Sequence, residues 1–204
     1  MIPRIIHHIW VGPFAPPMQW IKTWYEKHSS WDYMLWDNKK VFGRKWKNQA
    51  WVDYYRERKI WHGVADVVRY EILFEHGGFM PGADSICLES VDELLTESIA
   101  CAVYENEAVR PGLISPLYAC SKGDLFAKML IEELANKPVG GVPWRTTGNL
   151  FMQEMVAKYP DIPIKIWPSY YFNPIHHTGL TYKGEGKIYA RQLWGTTHNA
   201  YLVR

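Results

Sequence analysis

Three residues of this chain have types and spacing that could do chemistry together. Asp66 and Arg69 stand three apart in a run of helical periodicity, so they share one helix face. Asp84 follows the pair Gly77-Gly78 and the short apolar run Phe79-Met80-Pro81, which predicts a strand-end position. Ligands of open α/β sheets gather at such ends. A carboxylate there can hold Mg2+ or Mn2+, hard ions that prefer oxygen ligands and also take oxygens from a diphosphate. Asp66 and Arg69 can point over the sheet edge to hold hydroxyls of a polar ligand. Each also has an ordinary use. A surface ion pair of this kind is worth about 0–1 kcal/mol, and turns and helix caps use Asp constantly. Glu71 and Glu75, a like-charged pair four apart, read as a solvated face.

These residues need elements to position them. Val64, Val67, Val68, Ile72 and Leu73 form an apolar stripe over His62 to His76, a helix stopped by Gly77-Gly78. Arg4 to Gly12 is a β-rich run ended by Gly12-Pro13 and predicts a buried first strand. Pro16-Pro17 opens a helix over Met18 to His28. Trp31 to Trp36 predicts a second strand, and Trp46 to Lys59 a polar helix. Val91 to Leu95 predicts a helical turn, with strands over Ile99 to Tyr104 and Gly112 to Cys120. Helices follow over Asp124 to Ala135 and Thr147 to Tyr159, and late strands over Ile164 to Trp167 and Ile188 to Leu193. Arg145-Thr146-Thr147-Gly148-Asn149 precedes the last helix. It offers free N–H groups to an anion, or a cap from Thr146 or Thr147. Alternating strands and helices predict an α/β sandwich with a mostly parallel central sheet flanked by helices.

The 204 residues suit one domain, and such a chain buries roughly 70% of its unfolded surface without staples. A net charge of +2 is too small to argue for nucleic acid. No apolar run reaches the roughly 18 residues of a transmembrane helix, and the N-terminus lacks a signal-peptide layout. Cys87, Cys101 and Cys120 read as reduced, buried thiols, which predicts a cytoplasmic protein or one peripheral at a membrane. Eleven Trp and thirteen Tyr can stack on nucleobases and sugars or simply fill a core. Tyr104, Trp144, Trp167, Tyr170 and Tyr171 are candidates for a glycan platform, and Glu105 and Glu107 for the acceptor side or for exposed loop acids.

The segments IPRIIHHIWVGP, ADVVRYEILFEHGGFMPGADSICL and YARQLWGTTH, in that order, resemble the glycosyltransferases with a DXD sugar-binding motif. That group includes yeast initiating α-mannosyltransferases and, more distantly, the glucosylating domains of large clostridial toxins. The resemblance implies a single Rossmann-like GT-A domain over 1–204, with 1–100 the nucleotide-sugar half and 101–204 the acceptor-side half. It implies a UDP- or GDP-linked donor, Mn2+ or Mg2+, a glycan or other hydroxyl acceptor, and transfer with retention, as in polysaccharide biosynthesis. By position, Trp10 stacks near the base beside Ile9 and Val11. Asp66 and Arg69 hold donor hydroxyls or the diphosphate. Ala83 and Asp84 follow the first motif position, with Asp84 the main metal ligand. Trp194 and Thr197 close over the diphosphate, and His198 is a second metal ligand.

Two positions depart from the family pattern. Gly82 stands where the first Asp of the motif belongs, and Gln192 where a His is common. Loss of the first carboxylate weakens donor binding or marks a chain without activity, so a non-catalytic sugar or nucleotide-sugar binding module is the alternative. A third reading, a nucleic-acid-associated protein, comes from Lys39-Lys40, Arg44-Lys45 and Lys47 around Trp46.

Overall fold

The computed structural model describes residues 1–96, 99–116 and 118–195. Five strands and their neighbours build the frame: β1 (Ile5–Ile9), β2 (Asp32–Trp36), β3 (Gly78–Phe79), β5 (Ala100–Val103) and β7 (Ile164–Trp167), with the two-residue β6 (Ala119–Cys120) between β3 and β5. The sheet order is β2-β1-β3-β6-β5-β7. β1 runs parallel to β2 and β3, and β5 parallel to β7, while β6 is antiparallel to both its neighbours. The sheet is thus mostly parallel. A separate pair, β4 (Ser85–Cys87) with β8 (Ala190–Gln192), is antiparallel and ties the chain after Asp84 to its late part.

Alternation along the strands builds a core on each face. Ile9, Ala100 and Ala102 join one apolar cluster; Ile6, Cys101 and Val103 join the other. The first cluster takes the buried sides of α3 (Gln49–Glu57), α4 (Trp61–His76), α5 (Leu125–Asn136) and α7 (Asn149–Lys158). The second takes Trp24 from α1 (Met18–Lys27) and the aromatics Phe79, Trp167, Phe172 and Tyr189. The three cysteines are buried thiols outside any disulfide.

Local chemistry sets the helix ends. Asp37 caps α2 (Asn38–Phe42), a short helix that the sequence reading lacked, by accepting from Lys40 N at 2.9 Å. Asp124 caps α5 through Ala127 N in the same way. The expected cap of α7 by Thr146 or Thr147 is corrected. Gly148 is the N-cap and no side chain caps there. Thr146 and Thr147 instead belong to and follow the short α6 (Pro143–Thr146), with hydroxyls bonded back to Val142 O and Pro143 O. The strand expected over Gly112 to Cys120 shrinks to β6, with a lone bridge from Ile114 to Tyr104.

Glu71 is a second correction. It is buried, and its carboxylate accepts from Lys47 N at 2.8 Å and Asn48 N at 3.0 Å. Glu75 faces solvent less than expected too, because Arg44 grips both its oxygens. The residues before α3 fold back onto α4, and their N–H groups need acceptors there.

Candidate functional site

β1 ends where the first cavity begins. Ile9, Trp10 and Val11 line a space of about 430 Å3 that runs past Asp66 and Arg69 to Gly82, Ala83 and Asp84. Gly12, next after Val11, has φ +114, and a Cβ there would lie 2.8 Å from the Trp61 ring. Asn38 clamps Gly12 with two hydrogen bonds of 2.8 Å, one to N and one from its amide to O. Trp10 is half-buried, with its indole N–H donated to Phe14 O at 2.8 Å. Phe14, Lys59, Trp61 and His62 also line this cavity and were not found from sequence. Lys59 carries a hint of strain: it is a non-glycine residue at φ 57, just past α3.

α4 supplies the charged floor. Arg69 donates to Met80 O at 3.1 Å and lies 5.9 Å over the Tyr118 ring. Asp66 points at the start of α7, so close that a Cβ on Gly148 would stand 2.8 Å from its Oδ2. Burial pushes the Asp66 carboxyl up to about 7, against the pull of Arg69. Asp66 therefore carries a proton under mildly acidic conditions and can donate a hydrogen bond as well as accept one. Burial also lowers His62 below the ordinary histidine value, which keeps its ring neutral near pH 7.

Asp84 lies between β3 and β4, immediately before Ser85, rather than directly at the end of the strand that Phe79 closes. Its Oδ1 accepts from Gln192 Nε2 at 2.6 Å and its Oδ2 from Gly195 N at 2.9 Å. Its backbone O accepts from Leu193 N at 2.8 Å. The two departures noted from sequence meet here. A Cβ on Gly82 would fall 2.9 Å from Gln192 Oε1 and 3.0 Å from Asp84 Oδ1. The Gln192 amide thus fills the space that a side chain at 82 would claim.

A second cavity of about 340 Å3 adjoins the first and shares His62, Asp66, Arg69, Gly82 and Asp84 with it. Its far wall is Glu105, Ser115, Asn149, Asn173 and Trp194. Glu105 is buried rather than a loose loop acid, and its Oε2 accepts from Asn149 Nδ2 at 2.8 Å. Glu107 instead accepts from Ser169 N. Of the proposed aromatic platform, Trp144 lines this cavity, but Trp167 is core and Tyr170 stacks on Tyr182 elsewhere. Thr197 and His198 lie outside the described residues.

Residues 17–100 match the family model described as glycosyltransferase sugar-binding region containing DXD motif. Over that segment the chain is similar to the DXD glycosyltransferases. It is 29% identical to an uncharacterized glycosyltransferase of Acanthamoeba polyphaga mimivirus over 101 residues, 47% of this chain and 40% of that one. It is 26% identical to an uncharacterized protein of the same virus over 142 residues, 69% of this chain and 24% of the viral protein. The chain therefore spans well under half the length of these relatives. The fold is similar to that of PaToxG glycosyltransferase, with a TM-score of 0.55, 14% identity, and coverage of 79% of this chain and 70% of that one. The matched segment holds α4 and the Gly82-Ala83-Asp84 triplet, while Ile9, Trp10 and Val11 precede it.

A divalent ion at Asp84 is compatible with the donor set. Each Asp84 oxygen accepts one hydrogen bond and keeps a further lone pair. Mg2+-type ions are commonly held by one or two carboxylates plus substrate phosphates, not by an all-protein cage. The nucleic-acid reading finds less support in the fold. Trp46 is core, its N–H bonds Val41 O, and the Arg44 guanidinium over its ring is spent on Glu75. Among the described residues no helix is long and apolar enough to cross a membrane.

Proposed function

We propose that the chain is a glycosyltransferase that moves a sugar from a UDP- or GDP-linked donor to a hydroxyl of a glycan or other acceptor, with Mn2+ or Mg2+ and with retention of configuration. The observation that carries this reading is the junction of the two cavities at Asp66, Arg69 and Asp84. One cavity has the aromatic and backbone wall that a nucleoside needs. The other has the polar wall that a hydroxyl acceptor needs.

In this reading the base lies against Trp10, with Ile9 and Val11 offering backbone groups. Arg69 stands by the diphosphate and offsets the negative charge that grows as the glycosidic bond breaks, a preorganised electrostatic effect. Asp66 holds a donor hydroxyl, and the backbone at Ala83 borders the sugar. An ion held by Asp84 would supply positive charge at the leaving diphosphate. The acceptor approaches from the Glu105 side, and Trp194 borders the diphosphate. Thr197 and His198 keep the closing and metal roles that the resemblance gives them, and the halves 1–100 and 101–204 keep their donor and acceptor shares.

Thermal unfolding with Mn2+ and a panel of UDP- and GDP-sugars tests the reading. One donor is expected to raise Tm only when Mn2+ is present, as ligand linkage requires. Asp84→Asn is expected to weaken that Mn2+-dependent donor binding by tenfold or more. Unchanged binding in this variant would remove Asp84 from the ion. A binding module is the second reading, favoured by the Gln192 amide seated where the first carboxylate belongs. Donor binding without sugar release or transfer would select it.

A further inference from the structure

Glu105, on the wall of the second cavity, clusters with His176 and His177. One carboxylate oxygen and one nitrogen from each ring all lie within 4.8 Å of one another. We propose that these three residues bind a transition-metal dication of the zinc type. The donor set is two imidazoles and a carboxylate, which suits zinc and not the oxygen-seeking ions expected at Asp84.

The geometry supports a ligand set. His176 is 1% exposed and Glu105 8% exposed, so a ring and a carboxylate are packed together out of water. An ion centred among the three ligand atoms would be at most about 2.8 Å from each, so shifts of less than about 1 Å reach zinc bond lengths of about 2.0–2.2 Å. Neighbours already orient the ligands. Thr178 Oγ1 bonds His176 Nδ1 at 2.8 Å, which turns Nε2 toward Glu105 Oε1, 3.4 Å away. Asn149 holds Glu105 Oε2 and leaves Oε1 facing the rings. Such second partners fix ring orientation and carboxylate geometry at metal centres. Trp194 packs edge-on against both rings, with centroids 5.4 and 5.2 Å away. Three protein ligands leave a fourth zinc position, and Glu105 lines the cavity. That position would take a water or, if the glycosyltransferase reading holds, an acceptor oxygen. One group opposes the ion: Arg110 Nη1 lies 3.6 Å from Glu105 Oε1, on a side chain exposed enough to swing away.

Titration calorimetry of the metal-free full chain with ZnCl2, paired with zinc X-ray absorption spectra, tests the site without any activity assay. One zinc is expected to bind with nitrogen and oxygen ligands. His177→Ala and Glu105→Gln are expected to weaken it at least tenfold, while Asp84→Asn leaves it within twofold. Arg110→Ala is expected to tighten it several-fold by removing the competing cation. His177 is only half-buried, so its variant keeps a readout even if His176→Ala fails to fold. Absence of zinc binding, or binding insensitive to His177→Ala and Glu105→Gln, would overturn the proposal. So would binding abolished by Asp84→Asn alone. A donor-independent zinc site with no transferase activity would leave the site standing and defeat the transferase reading.

Discussion

Gly82 and Gln192 lie one against the other, and that contact decides what an added carboxylate would do. In Gly82→Asp the new Cβ would stand 2.9 Å from Gln192 Oε1 and 3.0 Å from Asp84 Oδ1. A second negative charge would then face Asp84 at short range, which is unfavourable without a cation between them. Gly82→Asp is therefore expected to lower Tm by a few degrees in chelator and to recover it in millimolar Mn2+, with a larger Mn2+ shift than the parent chain. Adding Gln192→Ala opens the space and is expected to reduce the loss in chelator. A Gly82→Asp chain with no gain in Mn2+ response would show that position 82 does not border the ion. The sequence showed both departures from the family pattern. It did not show that they touch, because 110 residues of chain separate them and only the β4–β8 pairing brings Gln192 to Asp84.

The helix that carries Asp66 and Arg69 is held in place by contacts that its own stripe does not reveal. α4 buries Val64, Val67, Val68, Ile72 and Leu73, as its periodicity predicts. It also buries Glu71, which accepts the Lys47 and Asn48 N–H groups. Glu71→Ala leaves two N–H donors without their acceptor in a half-dry site, at a cost of about 1–3 kcal/mol. Urea unfolding should show that loss, with an unchanged slope if only the native contact is removed. Loss of under about 0.5 kcal/mol would mean that water or Gln49 takes over the acceptor role. Elements with a clear stripe or alternation were legible, α4, α5, β1 and β7 among them. The short α2, the two-residue β6 and the folded-back segment before α3 were not, because tertiary contacts define them. The site divides the same way. Asp66, Arg69 and Asp84 stood out by type and spacing. Phe14, Lys59, Trp61 and His176 reach the first cavity or the histidine cluster from loops and helix ends whose course only the packing sets, and Glu105, a candidate by type, is placed at its cavity wall by that packing too.

At the scale of the whole molecule, buried titratable groups set how the fold responds to pH, and they pull in opposite directions. His8 lies wholly inside, with neither ring nitrogen bonded, and burial lowers it to about 3. His7 falls to about 4 from burial, despite its bond to Gly77 O. Between these values and about 6.5, the unfolded chain holds protons on both rings that the folded chain does not. Each histidine thus costs stability as pH falls from about 6.5, with a limiting slope of about 1.4 kcal/mol per pH unit. Asp66 has the opposite sign. Its folded value near 7 lies above the ordinary carboxyl value, so from about pH 4 to 7 the folded chain keeps a proton that the unfolded chain has released. That contribution falls as pH rises. The histidines outnumber it, so Tm is expected to climb from pH 4.5 toward pH 6.5. His8→Leu removes an unbonded polar ring from the core and is expected to raise Tm at pH 5 and flatten the climb. Asp66→Asn removes the opposing group and is expected to make the climb steeper. Thermal melts of the three chains across pH 4.5 to 7.5 compare these slopes directly. A His8→Leu chain that loses as much on acidification as its parent would place the acid sensitivity elsewhere. An Asp66→Asn chain with the parent's slope would mean that Asp66 is ionised in the folded state throughout.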